Sequence, residues 1–147
     1  MKYSTRLSDS VHILAYIYLN PDGDLSSAAI ARSINTNPSY VRQLIMPMKK
    51  RGLITSARGT ATPQLAKNPS KITLFDIYRA AEGKKPLIHC DDNVNPDCSL
   101  GVNIQLSLRD CFDKVQKKAE KALKNITLLD VVDKYNVRVA ENSTKKV

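Results

Sequence analysis

Leu7, Val11, Leu14, Ala15, Tyr18 and Leu19 recur at helical spacing and predict a first helix over about Thr5 to Leu19. Asn20-Pro21-Asp22-Gly23 breaks it. Ser26 is a suitable N-cap for a short helix carrying Ile30, Ala31 and Ile34. After the tight turn Asn35-Thr36-Asn37, Pro38 fits the first position of a further helix, where its missing N–H costs nothing. Val41, Leu44, Ile45 and Met48 form that helix's inward stripe, and Gly52 is placed to end it. Pro47 violates the pattern: it removes a donor from the third turn, so a kink or early loosening is expected near Met46.

Leu53-Ile54-Thr55 reads as a strand and Gln64-Leu65 as its return, joined by a basic, glycine-bearing loop. Thr73 caps the next helix, with Ile72 and Ile77 at the spacing of a hydrophobic staple; this helix ends near Gly83. A polar loop from Lys84 to Ser99 precedes a long helix over about Leu100 to Asn125. Its stripe runs through Ile104, Leu108, Cys111, Phe112, Val115, Ala119, Ala122, Leu123 and Ile126. Such a helix spans about 39 Å, longer than one packed domain needs. Thr127 caps a last short helix through Tyr135, and a frayed polar tail is expected beyond it. The organisation predicted is therefore a winged helix-turn-helix over residues 1–84, a loop and candidate sensor region over 85–99, a dimerisation helix with a closing short helix over 100–135, and a flexible tail over 136–147. The fold class is mostly α with a small β-wing.

Charge sharpens this picture. The 147 residues carry +9 formally, unevenly distributed: residues 1–71 hold ten Lys/Arg against three Asp, net +7, and the remainder thirteen against eleven, net +2. No acidic residue occurs between Leu25 and Phe75, where Arg32, Arg42, Lys49, Lys50, Arg51, Arg58, Lys67 and Lys71 all fall. An acid-free basic window implies a polyanionic partner, with a merely solvated basic face as the bland alternative. No signal peptide is evident, and the longest mostly apolar stretch is too short to span a bilayer, so no membrane partner and a cytoplasmic location are expected.

A helix-turn-helix followed by a wing makes double-stranded DNA the expected partner. The second helix of the motif normally meets the major groove with its first turn. Asn37 caps that turn, Arg42 can pair with a guanine edge and Gln43 with adenine, and Ser39 and Tyr40 suit phosphate or sugar. Arg58, with Gly59 and Thr60 in the wing, can enter a minor groove. Lys2, Ser4 and Arg6, at the start of the first helix, can add phosphate contacts. Catalysis has little support: there is no phosphate loop, no metal-spaced histidine pair and no convincing nucleophile–base set, so no enzyme is expected.

The ordered set Ser39-Tyr40, Gln43-Leu44, Lys49-Lys50-Arg51-Gly52-Leu53-Ile54, Arg58-Gly59, Lys71-Ile72-Thr73-Leu74-Phe75-Asp76-Ile77-Tyr78-Arg79-Ala80 and Thr127-Leu128-Leu129-Asp130-Val131-Val132 resembles the Rrf2 (Rrf-two) family of bacterial winged-helix transcription regulators. The resemblance implies a long C-terminal helix that crosses its partner in a homodimer, here through Ile104, Leu108, Phe112, Val115, Ala119 and Leu123. It also implies control of operons by iron–sulfur, nitric oxide, redox or cysteine-metabolism signals. The family wing commonly reads Arg-Gly-x-x-Gly-Gly-Tyr; here Thr62, Pro63 and Gln64 replace its latter part, so only Arg58 and Gly59 carry over.

Cluster-binding members place three closely spaced cysteines before the long helix. This chain has Cys90, Cys98 and Cys111, the last well inside that helix. The ligand set is incomplete, and no iron–sulfur cluster, zinc or other cofactor is expected. Cys98, just before the helix in Asn95-Pro96-Asp97-Cys98, resembles the setting of a cysteine in cluster-free relatives and is the candidate redox sensor; an unreactive thiol is the alternative. The functional expectation is a homodimeric, sequence-specific regulator, a repressor on a pseudo-palindromic operator. The competing expectation is a winged-helix adaptor for another protein.

Overall fold

The computed structural model describes residues 3–146. Six α-helices and one hairpin follow in the order α1 (Arg6–Leu19), α2 (Ser27–Ile34), α3 (Pro38–Lys50), β1 (Ile54–Ser56), β2 (Pro63–Leu65), α4 (Leu74–Glu82), α5 (Ser99–Asn125) and α6 (Leu128–Thr144), with a single 3₁₀ turn over Pro69–Lys71. The strands pair antiparallel, Ile54 opposite Leu65 and Ser56 opposite Pro63.

Local chemistry explains the boundaries around the helix-turn-helix. Ser26 Oγ accepts the Ala29 amide at 3.2 Å to open α2, and Asn37 Oδ1 accepts that of Tyr40 at 2.9 Å to open α3. Between them Asn35 closes α2 in the left-handed region, at φ 60°. Gly52 turns the chain at φ 70° after α3, and the Leu53 amide reaches back to the Met48 carbonyl at 2.9 Å. The core gathers Ile13, Leu14 and Ile17 of α1, Ile30 of α2, Val41, Leu44 and Met48 of α3, Ile54 of β1, and Ile77 and Ala80 of α4.

Three expectations need correction. The apolar pattern placed Leu7, Val11 and Tyr18 inside α1, yet Ile13 and Ile17 fill the core and Tyr18 is exposed. That stripe was rotated toward one edge of the true inner face. Helix α3 does not loosen at Met46 but runs unbroken to Lys50. Pro47 deprives the Gln43 carbonyl of its donor, but Gln43 is exposed, so water can hydrate it and the cost stays low. Finally, α6 does not stop near Tyr135: it continues to Thr144, through the stretch expected to be an irregular tail.

The last helix is also not an appendage. Thr73 and Thr127 form an isolated antiparallel bridge, with the Leu74 amide on the Ile126 carbonyl and the Leu128 amide on that of Ile72, both 2.8 Å. Matching capping boxes, Thr73 with Asp76 and Thr127 with Asp130, open α4 and α6 side by side. This stitch delivers Leu128 and Val132 into the same buried interior as the N-terminal helices.

Helix α5 is built differently, with no buried residue along its 27 positions. It is held to α4 by a polar clamp. Arg79 Nη2 meets Glu120 Oε1 at 2.6 Å, and Gln116 donates to both Glu120 Oε1 at 2.9 Å and the Tyr78 hydroxyl at 3.2 Å. The Arg79 guanidinium also stacks 5.1 Å from the Phe75 and Tyr78 ring centres, and Lys124 Nζ lies 4.6 Å from that of Phe75.

Candidate nucleic-acid interface

Helix α3 divides cleanly. Val41, Leu44 and Met48 point into the core, while Ser39, Arg42, Gln43, Met46, Lys49 and Lys50 are exposed. The hairpin stands beside this outer face, and Lys49 Nζ donates to Ser56 Oγ at 3.1 Å, tying helix to strand. A cleft of about 740 Å³ opens between the start of α2, the outer face of α3 and the wing, lined among others by Ser26, Arg42, Met46, Lys49 and Pro63.

The residues expected to contact DNA separate into two groups. Ser39, Arg42 and Gln43 lie together on the outer face, with Arg42 Nη2 donating to Ser39 Oγ at 3.2 Å. Arg58 and Gly59 lie at the exposed wing tip, Gly59 at φ 76° where a side chain would be strained. Thr60 is exposed too, but its hydroxyl holds the turn by donating to the Ala57 carbonyl at 3.3 Å and accepting the Thr62 amide at 3.2 Å. The Asn37 side chain is the α3 cap.

The second group is committed elsewhere. The Tyr40 hydroxyl donates to Asp9 Oδ2 at 3.0 Å instead of facing outward, and burial pushes the phenol's pKa up, the Asp9 carboxylate adding to the rise. In this structure its proton is therefore directed at Asp9 and not outward. Ser4 donates to Glu82 Oε1 and Arg6 Nε to the Ala81 carbonyl at 2.9 Å, so both fasten the start of α1 to the end of α4. Lys2 lies outside the described residues.

Electrostatics follow the sequence pattern. Of the eight cations in the acid-free window, Arg32 alone pairs with a carboxylate among the described residues, Asp24 at 4.0 Å and exposed. Arg42, Lys49, Lys50, Arg51 and Arg58 are exposed and make no such pair among the described residues, and Arg42 and Lys49 line the same cleft. One exposed member of the α3 face escaped the sequence reading. The sequence pattern marked Met46 only as the place of an expected kink; counting four residues on from Arg42 and three on from Gln43 puts it on their face.

The remaining candidates lie around α5. Cys98 is its N-cap, Sγ accepting the Gly101 amide at 3.4 Å, and is exposed. Cys90 is half-buried beside a cleft of about 440 Å³ between the loop and α5, where Arg109 pairs with Asp92 at 3.2 Å. The expected dimerisation stripe splits: Ile104, Leu108 and Val115 are exposed, whereas Phe112, Ala119 and Leu123 are half-buried.

A helix-turn-helix with a hairpin beside an unpaired basic recognition helix defines a winged-helix DNA-binding protein. The family profile Rrf2, described as an iron-dependent transcriptional regulator, matches residues 3–134. The chain belongs to this family of DNA-binding transcriptional regulators. It is 38% identical over 130 residues, 88% of this chain and 96% of the other, to "Putative HTH-type transcriptional regulator YwnA" of Bacillus subtilis (strain 168). Among solved structures it is similar to CymR, the global cysteine regulator of B. subtilis, at TM-score 0.65 and 25% identity over 90% of this chain and 97% of that one. It is similar also to IscR of T. potens, at TM-score 0.67 and 27% identity over 92% and 88%.

The iron in the family's description was tested against the donors present. Cys98 is engaged as a helix cap, Cys90 is half-buried by the loop cleft, and Cys111 is exposed on α5. The described residues bring together no group of three or more His, Cys, Asp or Glu able to hold a metal. Among the described residues the three thiols do not converge on one point, as a resident iron or iron–sulfur group would need. No described helix is long and apolar enough to cross a membrane.

Proposed function

We propose that the chain works as a cytoplasmic homodimeric repressor that reads a pseudo-palindromic operator. Helix α3 enters the major groove and the wing reaches the neighbouring minor groove. One observation carries this reading: Arg42, Gln43 and Ser39 stand together on the exposed face of α3, beside the basic wing, and Asp24, the carboxylate lining the cleft between them, is paired with Arg32. Arg42 and Gln43 supply base-edge contacts, Arg58 the minor-groove cation, and Lys49, Lys50 and Arg51 the phosphate field. A two-fold dimer through α5 sets the recognition helices about 34–36 Å apart, one turn of duplex. The protein acts without cofactor or catalysis, and the Cys98 thiol at the start of α5 is the element that makes the dimer responsive to oxidants.

The test is DNA binding by fluorescence anisotropy, using fragments selected by the protein from genomic DNA, across a salt series. A specific binder loses affinity steeply with salt yet keeps at least about a thousandfold preference for its site over competitor DNA. An adaptor for another protein binds weakly and without preference, an outcome that would overturn the repressor reading. Alkylation of Cys98 that leaves operator affinity unchanged, with no response to oxidant, would remove the thiol sensor alone.

A further inference from the structure

Met46 is unexplained by either packing or charge. Its side chain is 60% exposed, while the fully buried Met48 supplies the methionine that the core uses. At 3.6 residues per turn, Met46 lies within about 60° of Ser39, Arg42, Gln43 and Lys50 around the α3 axis, at the centre of the outer face and not at its margin. Next to it, Ile45, Leu25, Ala61 and Pro63 line the cleft between α2, α3 and the wing, with Asp24, Ser26 and Thr62 among its polar members, so the thioether adjoins apolar lining flanked by Arg42 and Lys49. A strip of this kind mismatches a phosphate and mismatches the polar base edges. One group in the major groove does match it: the 5-methyl of thymine, the apolar element of that groove's pattern. Methionine is unbranched and adaptable, which suits it to reach such a methyl from a helix carrying longer polar side chains on either side.

We propose that Met46 is a specificity-determining residue that packs its thioether on the 5-methyl of a thymine in each half-site. The thymine adjoins the bases met by Arg42 and Gln43. This rests on the reading of α3 as the groove-inserted helix. It adds a prediction that the charge argument lacks: part of the sequence preference is for a methyl group, independent of any hydrogen bond.

The experiment uses two random duplex pools, one built with thymine and one with uracil, which pairs identically but has no 5-methyl. Each is selected with the full-length protein, Met46→Ala and Met46→Leu. The parent should enrich a fixed thymine in each half-site. Replacing only that base by uracil should weaken binding about fourfold per half-site and about fifteenfold for both, the scale of one buried methyl each. Met46→Ala should bind thymine and uracil sites alike, and Met46→Leu should restore the distinction, with melting temperatures unchanged because the side chain is exposed. The proposal is overturned if the parent enriches a site indifferent to uracil. It is also overturned if Met46→Ala keeps the parent's discrimination, or if it weakens both sites equally. Enrichment of nothing from either pool, by parent or variants, would instead bring down the DNA-reading assignment itself and Met46 with it.

Discussion

Ser10 is sealed inside α1, fully buried, and its hydroxyl has no hydrogen-bond partner among the described residues. An unpaired buried hydroxyl is a net cost, so Ser10→Ala should raise stability by about 1 kcal/mol, read as a higher denaturant midpoint at unchanged slope. Arg42 shows the opposite economy: it is exposed, lightly restrained by Ser39, and contributes little to the fold. Arg42→Ala should leave the melting curve in place and relax base choice at one position per half-site, by about 1–3 kcal/mol in competition binding. Single residues were legible in the sequence where their type fixes their role, as with Asn37 and Thr73 at caps. They were illegible where a long-range partner decides. Nothing in the neighbourhood of Tyr40 announces that Asp9, on another helix, accepts its hydroxyl's hydrogen bond.

At the scale of elements, α5 carries the clearest consequence. Its six expected interface residues form one stripe, half-buried along the edge carrying Phe112, Ala119 and Leu123 and open along the edge carrying Ile104, Leu108 and Val115. Placing charge on the open face, as in Ile104→Glu with Leu108→Glu, should leave the monomer fold intact, because neither side chain is buried. If the proposed dimer forms through α5, light scattering should then report a monomer for the variant and a dimer for the parent, and a variant that stays dimeric would place the interface elsewhere. Element order, strand pairing and both turns around α3 were legible because periodicity and capping residues act locally. The length of α6 was not. Val137 and Val139 are exposed, so no buried stripe marks the helix beyond Tyr135; it is sustained by its own backbone bonds from a well-capped start. Likewise Pro47 has the look of a breaker until the exposure of Gln43 is known.

Across the whole molecule, the stitch between α4 and α6 makes stability depend on acid. Hydrogen bonds from the Thr127 amide and then its side chain hold the Asp130 carboxyl below its ordinary value of 3.8. A depressed carboxyl stabilises the fold fully above its unfolded pKa, and that contribution is lost as pH falls through the lowered folded value. The gap in melting temperature between the parent and Asp130→Asn should therefore be constant near neutral pH and close under strongly acidic conditions; a gap that widens with acid would contradict the assignment. Asp24, held low chiefly by the Ser26 amide, acts in the same direction at the start of α2.

The wing's attachment has a separate consequence. Its strands are three residues each, its six-residue turn is exposed apart from the half-buried Ala57, and its inward anchors are Ile54 with half-buried Leu65. Lengthening such a turn costs only slowly growing closure entropy and leaves the interior untouched. The tip thus behaves as an exchangeable fitting on a fixed mount, free to diverge between relatives while the body that carries it stays the same.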